Sequence, residues 1–490
     1  MFAAKIVSSI LTALFCGAAC HAHVGSPDVF FEGDAGPYKL LVAIRPPTVI
    51  PGVAQVEVRS LSGDVRTIRV LPLPLSGDGA KFPPTADTTQ RSAGDPNFFT
   101  GTLWMMAFGS WQVRVEAEGT KGKGQLSVPV PAVASNTRGM QSKLGAALFG
   151  VMLFLVFGLV SIVGAGVREA TLEPGLSAQP RVRKRSYIVM AVSAVGFASI
   201  LWAGGRWWTF EADAYRSKIY KPLELGAFLQ MPDRLTLQLK DPGWLSLRRL
   251  DDLTPDHGHL MHLFLIRAPG MDRMWHLHPE QGEAGMFTVD LPSVPAGRYK
   301  LFADIVHKNG LAETAVTEMA VPDIAGRELS GDDSSASAAS LPQALNDSTI
   351  SELPGGFQMI WLRDSDPALS KKMSLFRFRL EDATGKPAPE LQNYMGMAGH
   401  AEFVRDDAGV FAHVHPAGSV SMAALELTKT DFMPMGMVHS MEGMRMPETV
   451  SFPYGFPTAG RYRIFVQMKH AGKVDTGVFD VHVLDHRGPA

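Results

Sequence analysis

At 490 residues the chain has room for about three domains. Its 46 Lys and Arg against 48 Asp and Glu leave a net charge of −2, so no basic field is available to recruit nucleic acid, and that class of partner is excluded. Only two cysteines are present, Cys16 and Cys20.

The opening segment, residues 1–22, has one lysine, an apolar run from Ile6 to Cys20 and small residues near Ala22. This pattern predicts a secretory signal peptide. Both cysteines fall inside it, so the exported chain would hold a metal through His, Met, Asp or Glu. Cleavage after Ala22 would leave His23 as an amine and imidazole chelate at the new amino terminus. Residues 23–135 run in short alternating stretches such as "YKLLVAI", "AQVEVRS" and "WQVRVEAE", separated by Pro and Gly clusters. They predict a β-sandwich with a structural or partner-binding role, since no histidine follows His23 there.

Residues 144–167 and 186–205 contain no acidic or basic residue, and each stretch is long enough to cross about 30 Å of hydrocarbon. The loop between them, 168–185, carries Arg168, Arg181, Arg183, Lys184 and Arg185 against Glu169 and Glu173. The positive-inside rule places that loop in the cytoplasm and both flanking regions outside, with Trp202, Trp207 and Trp208 at the outer interface. Residues 223–323 and 353–485 again read as β-sandwiches, and the Ser, Ala and Asp-rich stretch 324–352 reads as a linker. The expected fold class is mainly β, with three immunoglobulin-like or cupredoxin-like sandwiches on a two-helix transmembrane hairpin.

The last two sandwiches repeat one another. "DHGHLMHLFLIRAPGMDRMWHLHP", from Asp256, and "YMGMAGHAEFVRDDAGVFAHVHP", from Tyr394, align with His262 on His400 and "HLHP" on "HVHP". His257 and His259 then match Met395 and Met397. Further on, "AGRYKLFADIVHKNG" matches "AGRYRIFVQMKHAG", and His307 and His470 each stand ten residues after the glycine of Gly-Arg-Tyr.

On a strand, residues i and i+2 share a face about 7 Å apart. His276 with His278, and His413 with His415, can therefore look into one site, and the proline after each pair ends the strand at an open sandwich rim. The spacing predicts two four-histidine sites, one per sandwich: His262, His276, His278 and His307, with His257 and His259 nearby; and His400, His413, His415 and His470, with Met395 and Met397. Imidazole suits copper, zinc and nickel, whereas thioether selects Cu(I), so the second site is expected to be the more cuprous. Only the second copy carries "DFMPMGMVHSMEGMRMP", in which Met433, Met435, Met437, Met441, Met444 and Met446 surround His439 among Gly, Pro, Ser and Glu. That setting does not resemble a core period and suits capture of Cu(I) or Ag(I).

The "GRYRIFVQMKHAGKVDTGVFDVHV" pattern and "GSWQVRVEAEGTKGKGQLSVPVP" resemble YtkA-like or FixH-type extracytoplasmic β-sandwich modules. The methionine-rich stretch resembles those of bacterial periplasmic copper-resistance proteins. These resemblances imply metal handling at the cell envelope. No cysteine lies beyond residues 1–22 to complete a blue-copper His₂Cys centre.

The expectation is a copper-binding protein, for Cu(I), Cu(II) or both, anchored in a bacterial inner membrane with its terminal domains in the periplasm. It would buffer copper, confer resistance or deliver the ion to other envelope metal-handling proteins, and zinc is the alternative ion. Two other classes remain open. One is a zinc or copper enzyme with Glu402 or Asp304 as base; the other is a scaffold whose histidines sense pH.

Overall fold

The structure, a computed structural model, describes residues 27–173, 175–244, 248–342, 348–364, 366–389, 391–429 and 446–486. The signal segment, His23, and Met433, Met435, Met437, His439, Met441 and Met444 lie outside the described residues. The chain divides into two compact units, residues 1–133 with 221–490 and residues 134–220.

The smaller unit is a pair of helices, Ser142–Glu169 and Pro180–Arg216, both long and apolar enough to cross a membrane. They extend beyond the charge-free stretches, and Pro180 starts the second, so Arg181, Arg183, Lys184 and Arg185 sit on its first turns rather than in a loop. The pair closes at Gly164, whose carbonyl accepts from the Ser186 hydroxyl at 2.7 Å. A Cβ there would stand 2.4 Å from the Met190 sulfur, so any larger residue would have to displace that side chain. Phe154, Phe157, Ile200 and Trp202 face outward, as lipid-facing side chains do.

The larger unit contains the three β-domains. In the first, strands Val29–Ala35, Tyr38–Arg45, Gly52–Ser60 and Phe98–Met105 form one sheet, and Val65–Pro74, Gly109–Gly119 and Gly122–Ala132 form its partner. The two repeats share one scheme. His262–Ala268 pairs with Arg273–Leu277 and with Gly297–Val306, just as His400–Arg405 pairs with Phe411–Val414 and with Gly460–His470. The Gly-Arg-Tyr shared by the copies has a structural role: the Tyr299 hydroxyl donates to the Pro295 carbonyl at 2.7 Å and the Tyr462 hydroxyl to Thr458 at 2.8 Å. Each tyrosine pins its strand to the turn before it, as a tyrosine corner does in immunoglobulin-like sandwiches.

Both faces of these strands are buried. Leu263, Leu265, Trp275 and Leu301 fill the first repeat's own core, and Ala401, Phe403, Val414 and Ile464 fill the second's. The opposite faces, with Phe264, Ile266, Met274 and Phe302 from one copy and Val404, Phe411 and Phe465 from the other, pack on each other as a further core. Phe302 and Phe411 stack at 4.3 Å. Burying such side chains contributes about 1.5–3 kcal/mol each. Arg463 crosses this interface, donating to the Met271 and Ala339 carbonyls at 2.9 and 2.8 Å while pairing with Asp480.

Two expectations change here. The histidine-bearing rims are not open, because each copy covers the other. The stretch 324–352 is not a free linker, since Ser334–Ser337 adds to the first repeat's sheet beside Arg273–Leu277. Its small serines and alanines fit that strand into the crowded interface.

Candidate metal centre

The interface between the copies gathers eight of the chain's 15 histidines: His257, His259, His262, His276, His278, His400, His413 and His415. The ligand nitrogens of His262, His276 and His278 lie within 4.8 Å of one another, as do those of His257, His400 and His415. His413 joins the two trios, with its ring 5.4 Å from His262, 5.8 Å from His276 and 5.3 Å from His400. The two separate sites expected from the spacing are thus one cluster.

Two residues leave it. His307 donates to Asp252 at 2.7 Å and bonds Glu313 at 2.9 Å, and Glu313 is in turn paired with Arg248 at 2.8 Å. Burial opposes charging of this imidazole, but the two carboxylates outweigh it and raise His307 above the ordinary histidine range. His307 is an ion-pair anchor. His470 packs on Phe357 at 4.6 Å, and its strand register sets it opposite Leu391, away from the trios. Met446 packs on the second repeat's core, unlike an exposed collector residue.

The turn residues explain how His257 arrives. Asp256 and His259 bond each other's backbone, with φ of 52° at His257 and 88° at Gly258. Positive φ at both central positions is the type I′ pattern, costly for a histidine. It carries the His257 ring across to the second copy, 4.9 Å from His400 and 4.7 Å from His415.

The tautomers decide the chemistry. His257 Nδ1 donates to the Met395 carbonyl at 2.6 Å and His415 Nδ1 to the Val420 carbonyl at 3.1 Å. A carbonyl can only accept, so in each neutral ring Nε2 carries the lone pair. Those two Nε2 atoms face each other at 3.2 Å. In the first trio, His262 Nε2 donates to the Asp256 carbonyl at 3.1 Å and His276 Nδ1 to Gln467 Oε1 at 3.0 Å. Gln467 is held in that orientation because its Nε2 donates to Ser334 at 2.6 Å. The remaining nitrogens, His262 Nδ1 and His276 Nε2, again meet lone pair to lone pair at 3.0 Å. His278 Nδ1 is turned to Asp333 at 3.0 Å, leaving its Nε2 without a partner.

A proton between such nitrogens would make a buried imidazolium. Burial, reinforced by the neighbouring rings, holds His262, His276, His400 and His413 well below the ordinary histidine range, and burial pushes His415 down to about 3. A metal ion between them would resolve the conflict. Two nitrogens each bound about 2.0–2.1 Å from one tetrahedral ion lie roughly 3.3 Å apart, close to both observed separations. The outer ring nitrogens donating to carbonyl, amide or carboxylate oxygens match the usual second shell of a metal-bound histidine. His400, with neither ring nitrogen partnered, and His413 Nε2 supply further free donors.

Around the imidazoles stand carboxylates, of which the sequence points to Asp304 and Glu402 as candidate bases but not to Asp332 and Asp333. Asp332 and Asp333 come from the supposed linker and meet His259 and His278 at 3.5 and 3.0 Å. His259 stacks on His278 at 3.9 Å. Tyr394 donates to the Asp332 carbonyl at 2.8 Å. Asp304 meets His413 Nδ1 at 3.4 Å, and burial pushes its carboxyl up to about 7, although 24% of the side chain still faces a cavity of about 50 Å³ beside His262 and His415. Glu402 is fully buried, and among the described residues neither carboxyl oxygen has a partner outside its own residue. Burial holds it well above the usual carboxylate range.

A family model described as a domain of unknown function, DUF8832, matches residues 215–322 and 358–485, the two stretches that carry the repeat. A search of curated proteins finds no match. Among solved structures, the chain is similar to a tetra-tandem repeat in the extending region of a large adhesion protein, at 7% identity and a TM-score of 0.17, covering 94% of this chain and 93% of that one. It is similar also to Salmonella alpha-2-macroglobulin reacted with methylamine, at 10% identity and a TM-score of 0.20, covering 94% of this chain and 24% of that one. Fibronectin(III)-like modules of Clostridium thermocellum CbhA match at 10% identity and a TM-score of 0.14, covering 54% of this chain and 97% of theirs. Likeness at this level carries no argument about function.

Proposed function

We propose that this chain is a copper-binding protein that holds the metal between its two repeated sandwiches and is anchored by its helix pair in a bacterial inner membrane, with the sandwiches in the periplasm. The observation that carries this reading is the facing of lone-pair nitrogens at 3.0 and 3.2 Å inside each trio. Such pairs are repulsive until a cation lies between them. Imidazole donors accept Cu(I), Cu(II) and Zn(II), and the methionine content near the site favours copper. The burial of both trios suits retention, hence buffering, resistance or handover to an envelope partner. An enzyme would need room for a substrate beside the metal, and the adjoining cavity of about 50 Å³ holds only a few waters.

The test is thermal unfolding of the full chain in detergent with Cu(I), Ag(I), Cu(II) and Zn(II) in parallel. Cu(I) at about 100 times its Kd should stabilise by about 2.7 kcal/mol. Absence of stabilisation by every ion would discard the reading and leave a scaffold.

A further inference from the structure

We infer that Met395, although carried by the second repeat, supplies a thioether to the ion bound by His262, His276 and His278 of the first. This inference rests on the metal-binding reading above and assigns a ligand within it.

The two repeats meet face to face through the same surface, as subunits do in an isologous dimer, where a contact from i to j implies its mirror from j to i. The side chains obey this rule. His276 contacts Gln467 at 3.0 Å, and the equivalent His413 contacts Asp304, the equivalent of Gln467, at 3.4 Å. The turns obey it too. Tyr394 and Met397 exchange backbone bonds as Asp256 and His259 do, and φ at Met395 and Gly396, 50° and 84°, reproduces the 52° and 88° of His257 and Gly258. The turns also touch each other, through His257 Nδ1 on the Met395 carbonyl at 2.6 Å. A Cβ on Gly396 would stand 3.9 Å from that same nitrogen. Residues 257 and 395 are therefore equivalent positions meeting across the pseudo-twofold.

From its position His257 crosses to His400 and His415 of the other copy. The same backbone conformation sends the side chain at 395 across to their equivalents, His262 and His278. Met395 is 8% exposed, so its side chain is withdrawn from solvent. The position after the glycine behaves differently. His259 stays with its own copy and stacks on His278, so Met397 belongs with His415. The first trio then gains the imidazole of His259 and the thioether of Met395, and the second, which already holds His257, gains the thioether of Met397, in place of an imidazole-only site and a methionine-rich one. A thioether among neutral imidazoles selects a soft monovalent ion, Cu(I) or Ag(I).

The experiment uses the full chain in detergent with His400→Ala and His415→Ala, which leaves the first trio, and with Met433, Met435, Met437, Met441 and Met444 changed to Leu so that they add no sulfur. The chain is loaded with Ag(I), and its ligands are read by X-ray absorption. The expected result is one sulfur in the silver shell, lost in Met395→Leu and retained in Met397→Leu, with Ag(I) affinity falling about tenfold or more in the first variant. Met395→His should restore affinity with nitrogen donors only. Sulfur that survives Met395→Leu, or disappears with Met397→Leu, overturns the assignment while leaving metal binding intact. Silver absent from the protein both with and without the His400→Ala/His415→Ala changes overturns the assignment and the metal-binding reading together.

Discussion

Gln467 fixes which nitrogen of His276 is free, so replacing it by leucine should separate metal affinity from stability. In the parent chain Gln467 Oε1 accepts from His276 Nδ1 at 3.0 Å, and this leaves a lone pair on Nε2 facing the lone pair of His262 Nδ1. Without the amide, His276 can move its proton to Nε2 and donate to His262 at the existing 3.0 Å separation. The metal-free protein thus loses two hydrogen bonds, to His276 and to Ser334, and gains one. Each is worth about 0.5–1.5 kcal/mol, so its stability should fall by about 0.5–1.5 kcal/mol. Binding must now reverse the tautomer and break the new bond. The expected loss is about 10–100-fold in affinity, the range for removing an outer-shell partner of a ligating histidine, or roughly 1.4–2.7 kcal/mol. Competition titration with a chromophoric Cu(I) chelator measures the affinity, and chelator-treated thermal unfolding measures the stability. Unchanged copper affinity in Gln467→Leu would refute the tautomer argument, because His276 would then not be held in its ligating form.

Three other substitutions probe the surroundings. Glu402 aligns with Phe264, and its carboxyl is buried without an outside partner; Glu402→Leu should stabilise the metal-free protein by about 1–3 kcal/mol. Because its folded pKa is raised, the parent loses stability as pH rises above the unfolded value, so the gain measured by thermal unfolding should be larger at pH 8 than at pH 5. His307 also has a raised folded pKa, so its stabilising contribution is fully present below about pH 6.5 and lost as pH rises through the folded value. His307→Gln should therefore lower the unfolding midpoint more at pH 5.5 than at pH 8.5 while bound copper, measured by mass spectrometry, stays unchanged. At Gly418, φ is 129° and a Cβ would stand 2.0 Å from the Phe30 carbonyl oxygen. Gly418→Val should break the three bonds joining residues 30–32 to 417–419, costing about 3 kcal/mol and exposing the N-terminal sandwich to limited proteolysis.

The sequence made the repeat, the hairpins and the histidine pairs legible because strand periodicity is local: His276 with His278, and His413 with His415, do share faces. It did not disclose that the two copies share one site. A signal was present in "HLFLI" and "RIFVQM", which do not alternate; an apolar run on a strand means that both faces are buried. Reading those runs as two-sided would have required a second layer over the histidines. His307 and His470 were misplaced because they sit near strand ends, where the register of the final residues decides between the site and its periphery. Asp332, Asp333 and Gln467 escaped motif reasoning because their roles come from contacts across more than fifty residues of chain, which spacing cannot convey.

The most direct test of the central claim is the copper stoichiometry of the full chain after Cu(I) loading and extensive dialysis, compared with His276→Ala/His400→Ala. Four donors per ion in a cluster of eight imidazoles predict about two coppers per chain, falling toward zero in the double variant because each substitution removes a member of one trio. Copper that is absent from the parent, or equally retained by the double variant, would contradict the placement of the metal between the repeats.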